Sequence, residues 1–258
     1  MRTNDNQIQG NTVFIPGATS GIGLALALEL QAKGNTVIVG GRRTALLEQL
    51  VAAHPGLGAV TVDTSDAASI RAAAAEVLAT HPDLNVLVTM AGVMRIEDWT
   101  TAGFLADAEE VVTTNLLGTI RLIAAFVEHL RRVPDATIMT VSSGLAFTPL
   151  KVTPSYNASK AGVHMLTETL RLQLAGTGVR VLELEPPAVA TELLPGQTES
   201  PFAMPLDDFV REVVDILETQ PEATEIQVER VEFLRYAEAR GDYPETVARL
   251  NQLDPHGH

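Results

Sequence analysis

Short apolar runs alternate with longer stretches rich in alanine and leucine along almost the whole chain. The short runs have the length and β-branched content of buried strands, and the longer stretches have the length of helices. This alternation predicts an α/β protein whose doubly wound parallel sheet of about seven strands carries helices on both faces, joined by right-handed crossovers. No interdomain linker is evident, so one domain is expected over residues 1–258. Strands are predicted at 12–16, 36–40, 59–63, 85–90, 136–142, 179–185 and near 224–229, and helices at 21–33, 43–53, 66–80, 102–132 and 154–175.

A glycine-rich turn separates the first predicted strand from the first predicted helix. It reads Pro16-Gly17-Ala18-Thr19-Ser20-Gly21-Ile22-Gly23, with G-x-x-x-G-x-G spacing rather than the commoner G-x-G-x-x-G. Glycines let the backbone approach a pyrophosphate, and the free N–H groups of a helix start face the anion. The turn therefore indicates a dinucleotide phosphate site, with a glycine turn of no such function as the alternative.

Two arginines follow the second predicted strand. In dinucleotide folds an acid about 20 residues after the loop binds the ribose 2′-hydroxyl, whereas an arginine accommodates a 2′-phosphate. Arg42 lies 19 residues after Gly23, and the strand end carries no acid. Arg42 and Arg43 therefore favour NADP(H) over NAD(H), although a solvated arginine pair would look the same in sequence.

Tyr156 and Lys160 are four residues apart in a predicted helix and so share one face. An ammonium about 4 Å from a phenol favours the phenolate by several kcal/mol, which predicts that the pKa of Tyr156 falls from about 10 towards neutrality. Ser143 follows a strand thirteen residues upstream of Tyr156, where its hydroxyl can hydrogen-bond a substrate oxygen. Tyr-x-x-x-Lys occurs by chance in many helices, but together with the glycine turn and Ser143 it indicates proton exchange with a carbonyl or alcohol oxygen.

The glycine turn, Ser143, Tyr156 and Lys160 follow one another in the order and spacing of a known family. On these residues the chain, from about residue 10 to about 191, resembles the short-chain dehydrogenase/reductase family. The resemblance implies a single-domain Rossmann fold. It implies that Tyr156 is the catalytic acid/base, that Lys160 lowers its pKa and holds the nicotinamide ribose, and that Ser143 orients the carbonyl. Asn115 matches the asparagine that supports a water-mediated proton relay to the lysine. Within the family, the runs at 143–147 and 186–189 look most similar to the oxidoreductases named after a D-alanyl teichoic-acid operon.

The resemblance also implies the contacts of the cofactor. Asp63 matches the acid that contacts adenine, and Val189 and Thr191 match residues that contact the nicotinamide carboxamide. The NADP(H)-binding set expected on this basis is Gly17, Thr19, Ser20, Gly21, Ile22, Gly23, Arg42, Arg43, Asp63, Thr64, Ala91, Gly92, Tyr156, Lys160, Pro186, Val189 and Thr191.

Four residues at three places depart from the family pattern. Pro16 stands where the family has threonine, Thr89 and Met90 replace two asparagines, and Pro187 replaces a glycine. Because the first and fourth strands are neighbours in the family's strand order, the first two changes are expected to form one altered hydrogen-bond patch. Pro187 should stiffen the start of the substrate loop.

The chain changes character after Thr191, where prolines punctuate a segment with large apolar side chains. In this family that region is a mobile substrate lid, expected here at 190–219, and lids commonly gate turnover. Asp207 or Asp208 is expected to cap a helix that ends at Thr219.

The reacting carbonyl is expected among apolar side chains, with Ser143 and Tyr156 as its main polar anchor. Arg95 and Lys151 are interpreted as solvated loop charges rather than as carboxylate ligands. An uncharged, largely hydrophobic ketone or aldehyde is therefore the predicted substrate. The expected lining consists of Met94, Trp99, Leu145, Phe147, Leu150, Leu193, Leu194, Phe202 and Met204.

Composition sets further bounds. With 32 acidic and 18 basic residues the formal net charge is −14, which argues against nucleic acid and anionic membranes as partners. The absence of cysteine excludes disulfides and thiolate metal sites, and the six histidines show no ligand-like spacing, so no metal is expected. No apolar run reaches the roughly 20 residues of a membrane span and the start is polar, so a cytoplasmic protein is expected.

The sequence therefore predicts an NADP(H)-dependent oxidoreductase that transfers hydride between nicotinamide and a hydrophobic ketone or aldehyde or the corresponding alcohol. A non-catalytic NADP(H)-binding sensor stays open, although such family members usually lose the tyrosine or lysine. An isomerase, epimerase or dehydratase of the extended branch also stays open, although those chains typically carry G-x-x-G-x-x-G. A homodimer or homotetramer is expected by resemblance and from helical apolar residues beyond the need of one sheet face: Leu117, Ile120, Ile123, Phe126, Leu166 and Leu170.

Overall fold

The structure is a computed structural model that describes residues 1–4 and 7–253. A short antiparallel pair, β1 and β2, precedes a sheet of seven parallel strands in the order β5-β4-β3-β6-β7-β8-β9. The predicted doubly wound α/β fold is therefore confirmed. The strands are β1 (Thr3–Asn4), β2 (Gln7–Ile8), β3 (Thr12–Pro16), β4 (Thr36–Gly41), β5 (Gly58–Thr61), β6 (Val86–Thr89), β7 (Thr137–Val141), β8 (Arg180–Leu184) and β9 (Glu225–Ile226).

Helices cover both faces of the sheet because each crossover between parallel strands must return along the sheet. The first two crossovers proceed from β3 towards β5, and the chain then returns to place β6 on the other side of β3. Ligands of such sheets bind where the strand order reverses, here between β3 and β6. The helices are α1 (Gly21–Ala32), α2 (Thr44–Ala53), α3 (Ala67–Thr80), α4 (Leu105–Val112), α5 (Gly118–Leu130), α6 (Pro154–Leu174), α7 (Leu206–Thr219), α8 (Glu232–Arg235), α9 (Ala237–Arg240) and α10 (Tyr243–Leu253).

Two apolar layers hold the helices on the sheet. Successive residues of β3 point to opposite faces, so Ile15 packs under α1 and α7 while Phe14 packs under α3 and α5. On the second face the rings of Phe14 and Phe126 lie 5.5 Å apart. Both layers are buried throughout, which fixes the strand ends that carry the candidate site.

The predicted helix at 102–132 is interrupted. A 3₁₀ turn (Ala102–Phe104), α4, a π-helical turn (Thr113–Leu117) and α5 follow one another. The run Ala102–Leu130 is long and apolar enough to pass a length-and-composition test for a membrane span. Its residues Leu122 and Phe126 nevertheless pack in the core beside the sheet, as a core helix does.

Two predictions about the segment after β8 need correction. The helix α7 begins at Leu206 after Pro205, so Asp207 and Asp208 lie in its first turn and neither caps it. Because Phe209 and Val213 of α7 are buried in the core, the predicted lid at 190–219 is divided into a loop up to Pro205 and a core helix. By contrast, Asp66 caps α3, since its carboxylate accepts a hydrogen bond from the Ala68 N–H at 2.8 Å.

Candidate active site

The predicted chemistry gathers at the carboxyl ends of β7 and β8, where α6 packs against the sheet. Helix α6 begins with Pro154, whose missing N–H suits a first helical turn, and this places Tyr156 and Lys160 on its buried face. Tyr156 and Ser143 line the same cavity, and the Ser143 hydroxyl accepts a hydrogen bond from the Leu145 N–H at 3.1 Å. The structure thus brings the predicted serine and tyrosine to one site.

Lys160 has a backbone partner. Its Nζ donates to the Val141 carbonyl at 2.8 Å and lies 5.5 Å from the centroid of the Tyr156 ring. Burial lowers the pKa of Lys160 to about 8, with Glu183 acting in the opposite direction. The side chain is therefore mostly protonated at neutral pH.

The predicted fall in the pKa of Tyr156 is wrong in this structure. Burial raises the pKa of Tyr156 to about 12, and the hydrogen bond with Ser143 opposes this only in part. The prediction required the Lys160 ammonium to lie beside the phenol oxygen of Tyr156. In the structure this ammonium donates to the Val141 carbonyl instead. Tyr156 consequently holds its proton at neutral pH, the state that a general acid needs.

Asn115 lies in the π-helical turn, next to Lys160 and Gly92. Its Oδ1 accepts from the Val93 N–H at 2.8 Å, and its Nδ2 donates to the Val93 carbonyl at 2.9 Å and to Ser159 at 3.1 Å. A Cβ placed on Gly92 would lie 3.4 Å from the Asn115 Oδ1 and 3.7 Å from the Lys160 Nζ. Gly92 thus keeps the space beside Lys160 open.

The glycine turn has the conformation that close approach of an anion requires. Gly17 and Gly21 have φ angles of +95° and +54°, a region that side chains disfavour. A Cβ on Gly17 would lie 2.5 Å from the Ala91 Cα, so the turn packs directly on the chain after β6. Ser20 makes no capping hydrogen bond with its side chain and the first turn of α1 holds no acid, which leaves this helix start suited to phosphate.

The predicted adenosine contacts lie after β4 and β5. Arg42 is exposed, and Arg43 donates to the Thr19 hydroxyl at 3.4 Å. Burial acts to raise the pKa of Asp63, but hydrogen bonds from Ser65 and the charge of Arg42 bring this pKa below its usual value. The ionised Asp63 can therefore accept hydrogen bonds. Thr64 is buried and packs closely on Gly118, because a Cβ added at Gly118 would lie 2.8 Å from the Thr64 carbonyl oxygen.

The chain after β8 supplies the remaining predicted contacts. The Pro186 carbonyl accepts from the Ser143 hydroxyl at 3.5 Å. Thr191 lies beside the glycine turn, since a Cβ on Gly21 would be 3.5 Å from the Thr191 Cβ. The Val189 carbonyl accepts from Gln197 at 2.6 Å, which ties the loop after β8 back on itself.

The altered patch at the family departures is present in the structure. The Thr89 hydroxyl is buried and has no hydrogen-bond partner among the described residues. Met90 packs on α1, because a Cβ on Gly23 would lie 2.8 Å from the Met90 Cγ. The end of β6 and the residue after it thus carry an unpaired hydroxyl and an apolar contact with α1.

A cavity of about 410 Å³ opens beside Ser143 and Tyr156. Ligand sites of this size are common, and they are mostly apolar with few polar groups, as this one is. Six predicted lining residues border it: Met94, Leu145, Leu150, Leu193, Leu194 and Phe202.

Three predicted lining residues lie elsewhere. Trp99 is half exposed and stacks on Phe104 with ring centroids 4.4 Å apart. Phe147 packs between His164 and Arg235, and Met204 pairs with Val189 through the backbone. Trp99 and Phe147 pack against these partners rather than along the cavity, so closeness in sequence to Met94 and Ser143 did not predict their place.

The C-terminal segment, which the sequence did not connect with the site, forms one wall of the cavity. It contributes Arg230, Phe233, Leu234, Arg249, Leu250 and Leu253. The two cations expected nearby are not part of the lining: Arg95 is held by Glu110 at 3.0 and 3.1 Å, and Lys151 is exposed.

A buried polar cluster below Lys160 was also missed. His164, one turn after Lys160, hydrogen-bonds the fully buried Glu183 at 3.0 Å, and Glu185 lies beside them. Ligand atoms of His164, Glu183 and Glu185 lie within 4.8 Å of one another. Arg235 and Gln227 reach Glu185 at 3.4 and 3.0 Å, so cationic and N–H donors already occupy one side of the cluster. The expected absence of a metal stays a prediction.

The geometry agrees with comparisons to known proteins. The family described as short chain dehydrogenase matches residues 11–201. The chain belongs to the short-chain dehydrogenase family. The uncharacterized oxidoreductase DltE of Bacillus subtilis is 36% identical over 251 residues, covering 95% of this chain and 98% of the relative. D-threitol dehydrogenase of Mycolicibacterium smegmatis is 32% identical over 196 residues, covering 73% and 74%.

Solved structures of the family show the same architecture. A short chain dehydrogenase from Burkholderia cenocepacia J2315 in complex with NADP matches with a TM-score of 0.80 at 26% identity, covering 95% of this chain and 98% of that chain. The predicted resemblance to the short-chain dehydrogenase family, and to the teichoic-acid-operon subset represented by DltE, is therefore confirmed.

Proposed function

We propose that this short-chain dehydrogenase is an NADP(H)-dependent oxidoreductase that interconverts a hydrophobic ketone or aldehyde and the corresponding alcohol. The observation that carries the proposal is that Ser143 and Tyr156 line one apolar cavity, with Lys160 one helical turn away. A carbonyl that enters this cavity meets two hydroxyl groups in an otherwise apolar lining.

The side chains at the site have separate roles in the proposed reaction. NADPH, when bound, supplies hydride to the carbonyl carbon. Tyr156 holds a proton at its Oη and donates it to the carbonyl oxygen, while the Ser143 hydroxyl hydrogen-bonds the same oxygen as negative charge develops. Lys160 supplies a positive charge near Tyr156, with its Nζ 5.5 Å from the centroid of the ring, and Asn115 holds the chain after β6 beside it.

The residues present fit a dinucleotide phosphate. The positive φ angles of the glycine turn and the uncapped start of α1 suit the pyrophosphate. Arg42 is exposed at the end of β4, where Gly41 offers no acid to repel a 2′-phosphate. Guanidinium groups bind phosphate oxygens through paired N–H donors, so we infer a preference for NADPH over NADH.

The loop between Ala190 and Pro205 is proposed as the substrate lid. It lines the cavity through Leu193, Leu194, Gln197 and Phe202. The backbone pairing of Val189 with Met204 anchors both ends of this loop, and half of the Phe202 side chain faces solvent. Movement of the loop between its anchored ends would admit the substrate.

A homodimer or homotetramer is proposed as the assembly. Of the six helical residues predicted to be surplus, Ile123 and Phe126 are buried and Leu166 and Leu170 pack against the core. Leu117 and Ile120 remain exposed by 38% and 41%, and Met165 and Leu172 are exposed as well. Helices α5 and α6 therefore present apolar area that a second copy of the chain can cover.

Steady consumption of NADPH with a panel of aryl and alicyclic ketones tests the proposed function. The expected result is turnover in the wild type and loss of nearly all of it in Tyr156→Phe, with cofactor binding preserved. A protein that binds NADPH but turns over no panel member would indicate a sensor. Product formation without net NADPH consumption would indicate an isomerase or epimerase, and either result would overturn the proposal.

A further inference from the structure

Two arginines border the active-site cavity, and both come from the C-terminal segment. Arg230 lies in the turn Glu229–Val231 and Arg249 lies in α10, so separate elements bring them to the same space. They are the only charged side chains among the described residues that line the cavity. The remaining lining is apolar apart from Ser143, Tyr156 and small polar groups of the lid loop.

Neither arginine is neutralised by the protein in the ranges that the structure describes. Arg230 donates to the Phe202 carbonyl at the long distance of 3.4 Å, and the guanidinium carbon of Arg249 lies 5.1 Å from the centroid of the Phe233 ring. No carboxylate forms an ion pair with either of them there.

The neighbouring arginines behave differently. Arg235 is within 3.4 Å of Glu185 and Arg240 within 3.1 Å of Asp242, although both belong to the same C-terminal segment. Two arginines without an ion pair thus share one otherwise apolar cavity, where they balance no charge of the described residues. A ligand that carries negative charge would explain them.

We propose that Arg230 and Arg249 form a subsite for an anionic group, a carboxylate or a phosphate, on the substrate of this cavity. The inference rests on the proposed function, which places the reacting carbonyl at Ser143 and Tyr156. The apolar lining then receives the body of the substrate, and the anion lies at the C-terminal wall. The substrate class becomes hydrophobic carbonyl compounds with a remote carboxylate or phosphate, which differs from the uncharged ketone or aldehyde that the sequence predicted.

The chemistry of the two side chains suits this role. A guanidinium presents its N–H donors in a planar fork that matches the oxygens of a carboxylate or phosphate. Arg249 lies over the Phe233 ring, and this contact restricts its orientation without using its charge. Because both arginines are exposed, water screens the attraction, and we expect a discrimination of about tenfold rather than a very large one.

Binding of simple amphiphiles tests the subsite without requiring turnover. Isothermal titration calorimetry would compare octanoate, octanamide and octyl phosphate on the full chain. The expected result is that octanoate or octyl phosphate binds about tenfold more tightly than octanamide, and that the tighter of the two anions identifies the group preferred. Equal binding of all three would overturn the proposal.

Variants assign the effect to the two arginines. In Arg230→Gln/Arg249→Gln the preference for the anion should disappear while octanamide binding is unchanged. Arg211→Gln is the matched control, because Arg211 is exposed on α7 and does not line the cavity. A preference that survives in the double variant, or is lost equally in Arg211→Gln, would contradict the assignment to this subsite.

Turnover separates this proposal from the proposed function. The pair 7-oxooctanoate and its methyl ester should differ by about tenfold in kcat/KM, through KM, in the wild type only. Turnover of the ester at least equal to that of the acid would leave the reductase intact and remove the anion subsite. Anion-selective binding without turnover of any ketone would leave the subsite and remove the reductase.

Discussion

Glu185→Gln should remove a large part of the pH dependence of the stability of this protein. Glu185 is fully buried directly after β8, and one of its carboxylate oxygens has no hydrogen-bond partner among the described residues. Burial raises the pKa of Glu185 to about 8 from 4.5, and the neighbouring Glu183 and Glu225 act in the same direction against Arg235 and Gln227. The folded protein therefore keeps this carboxyl protonated at a pH where the unfolded chain ionises it.

The magnitude follows from proton linkage. A raised pKa contributes stability that is fully present below the unfolded value, near 4.5, and is lost as the pH rises through the folded value, near 8. Between pH 5 and pH 7.5 the free energy of unfolding should fall by about 3 kcal/mol from this one group. At about 2–4 °C per kcal/mol for a chain of this size, Tm should fall by about 6–12 °C. The raised pKa of His164, caused mainly by its hydrogen bond with Glu183, acts in the same direction and adds to the wild-type slope.

Thermal unfolding followed by circular dichroism at pH 5 and pH 7.5 measures this. Glutamine resembles the protonated glutamate, so Glu185→Gln should match the wild type near pH 5 and exceed its Tm at pH 7.5. Glu76→Gln, on the exposed face of α3, is the control and should leave the slope unchanged. If Glu185→Gln lowers Tm equally at both pH values, the carboxyl is ionised throughout and its contact with Arg235 dominates, which refutes the reasoning.

Three further predictions concern the site and the assembly. Tyr156→Phe should reduce kcat by about 10²–10⁴-fold while leaving NADPH affinity nearly unchanged, as stopped-flow and fluorescence titration would measure; a retained tenth of the rate would place the general acid elsewhere. Arg42→Ala should weaken NADPH binding much more than NADH binding in the same titration, and tighter NADH binding by the wild type would contradict the 2′-phosphate assignment. Light scattering at micromolar concentration should give the mass of a dimer or tetramer. A monomer mass would contradict the proposal that a second copy of the chain covers the exposed apolar residues of α5 and α6.

The sheet and the strand-end chemistry could be predicted from sequence because both follow from local pattern. Valine- and isoleucine-rich runs specify buried strands wherever they lie, and parallel strands place their carboxyl ends at one edge. The glycine turn, Ser143 and Tyr156 therefore lie at the same edge of the sheet, as expected. Their spacing along the chain was sufficient because each stands directly at the end of a regular element.

Other features depend on contacts between distant segments, which sequence spacing does not report. The pKa of Tyr156 depends on burial and on the choice of Val141 as the partner of Lys160. The π-helical turn at Asn115 has no distinct local pattern. The C-terminal wall with Arg230 was missed because short helices in a polar segment show only weak periodicity. Glu183 on β8 and Glu185 directly after it are two residues apart, and exposed strand positions have the same spacing in sequence.

The fate of deuterium from NADPH labelled at the nicotinamide C4 tests the central claim most directly. Purified enzyme would be incubated with each C4-labelled epimer of the cofactor and a ketone that it accepts, and the alcohol would be analysed by mass spectrometry. The account predicts that one epimer delivers a single deuterium to the carbinol carbon and that Tyr156→Phe yields almost no labelled alcohol. Alcohol that forms without deuterium from either epimer would contradict hydride transfer at this site.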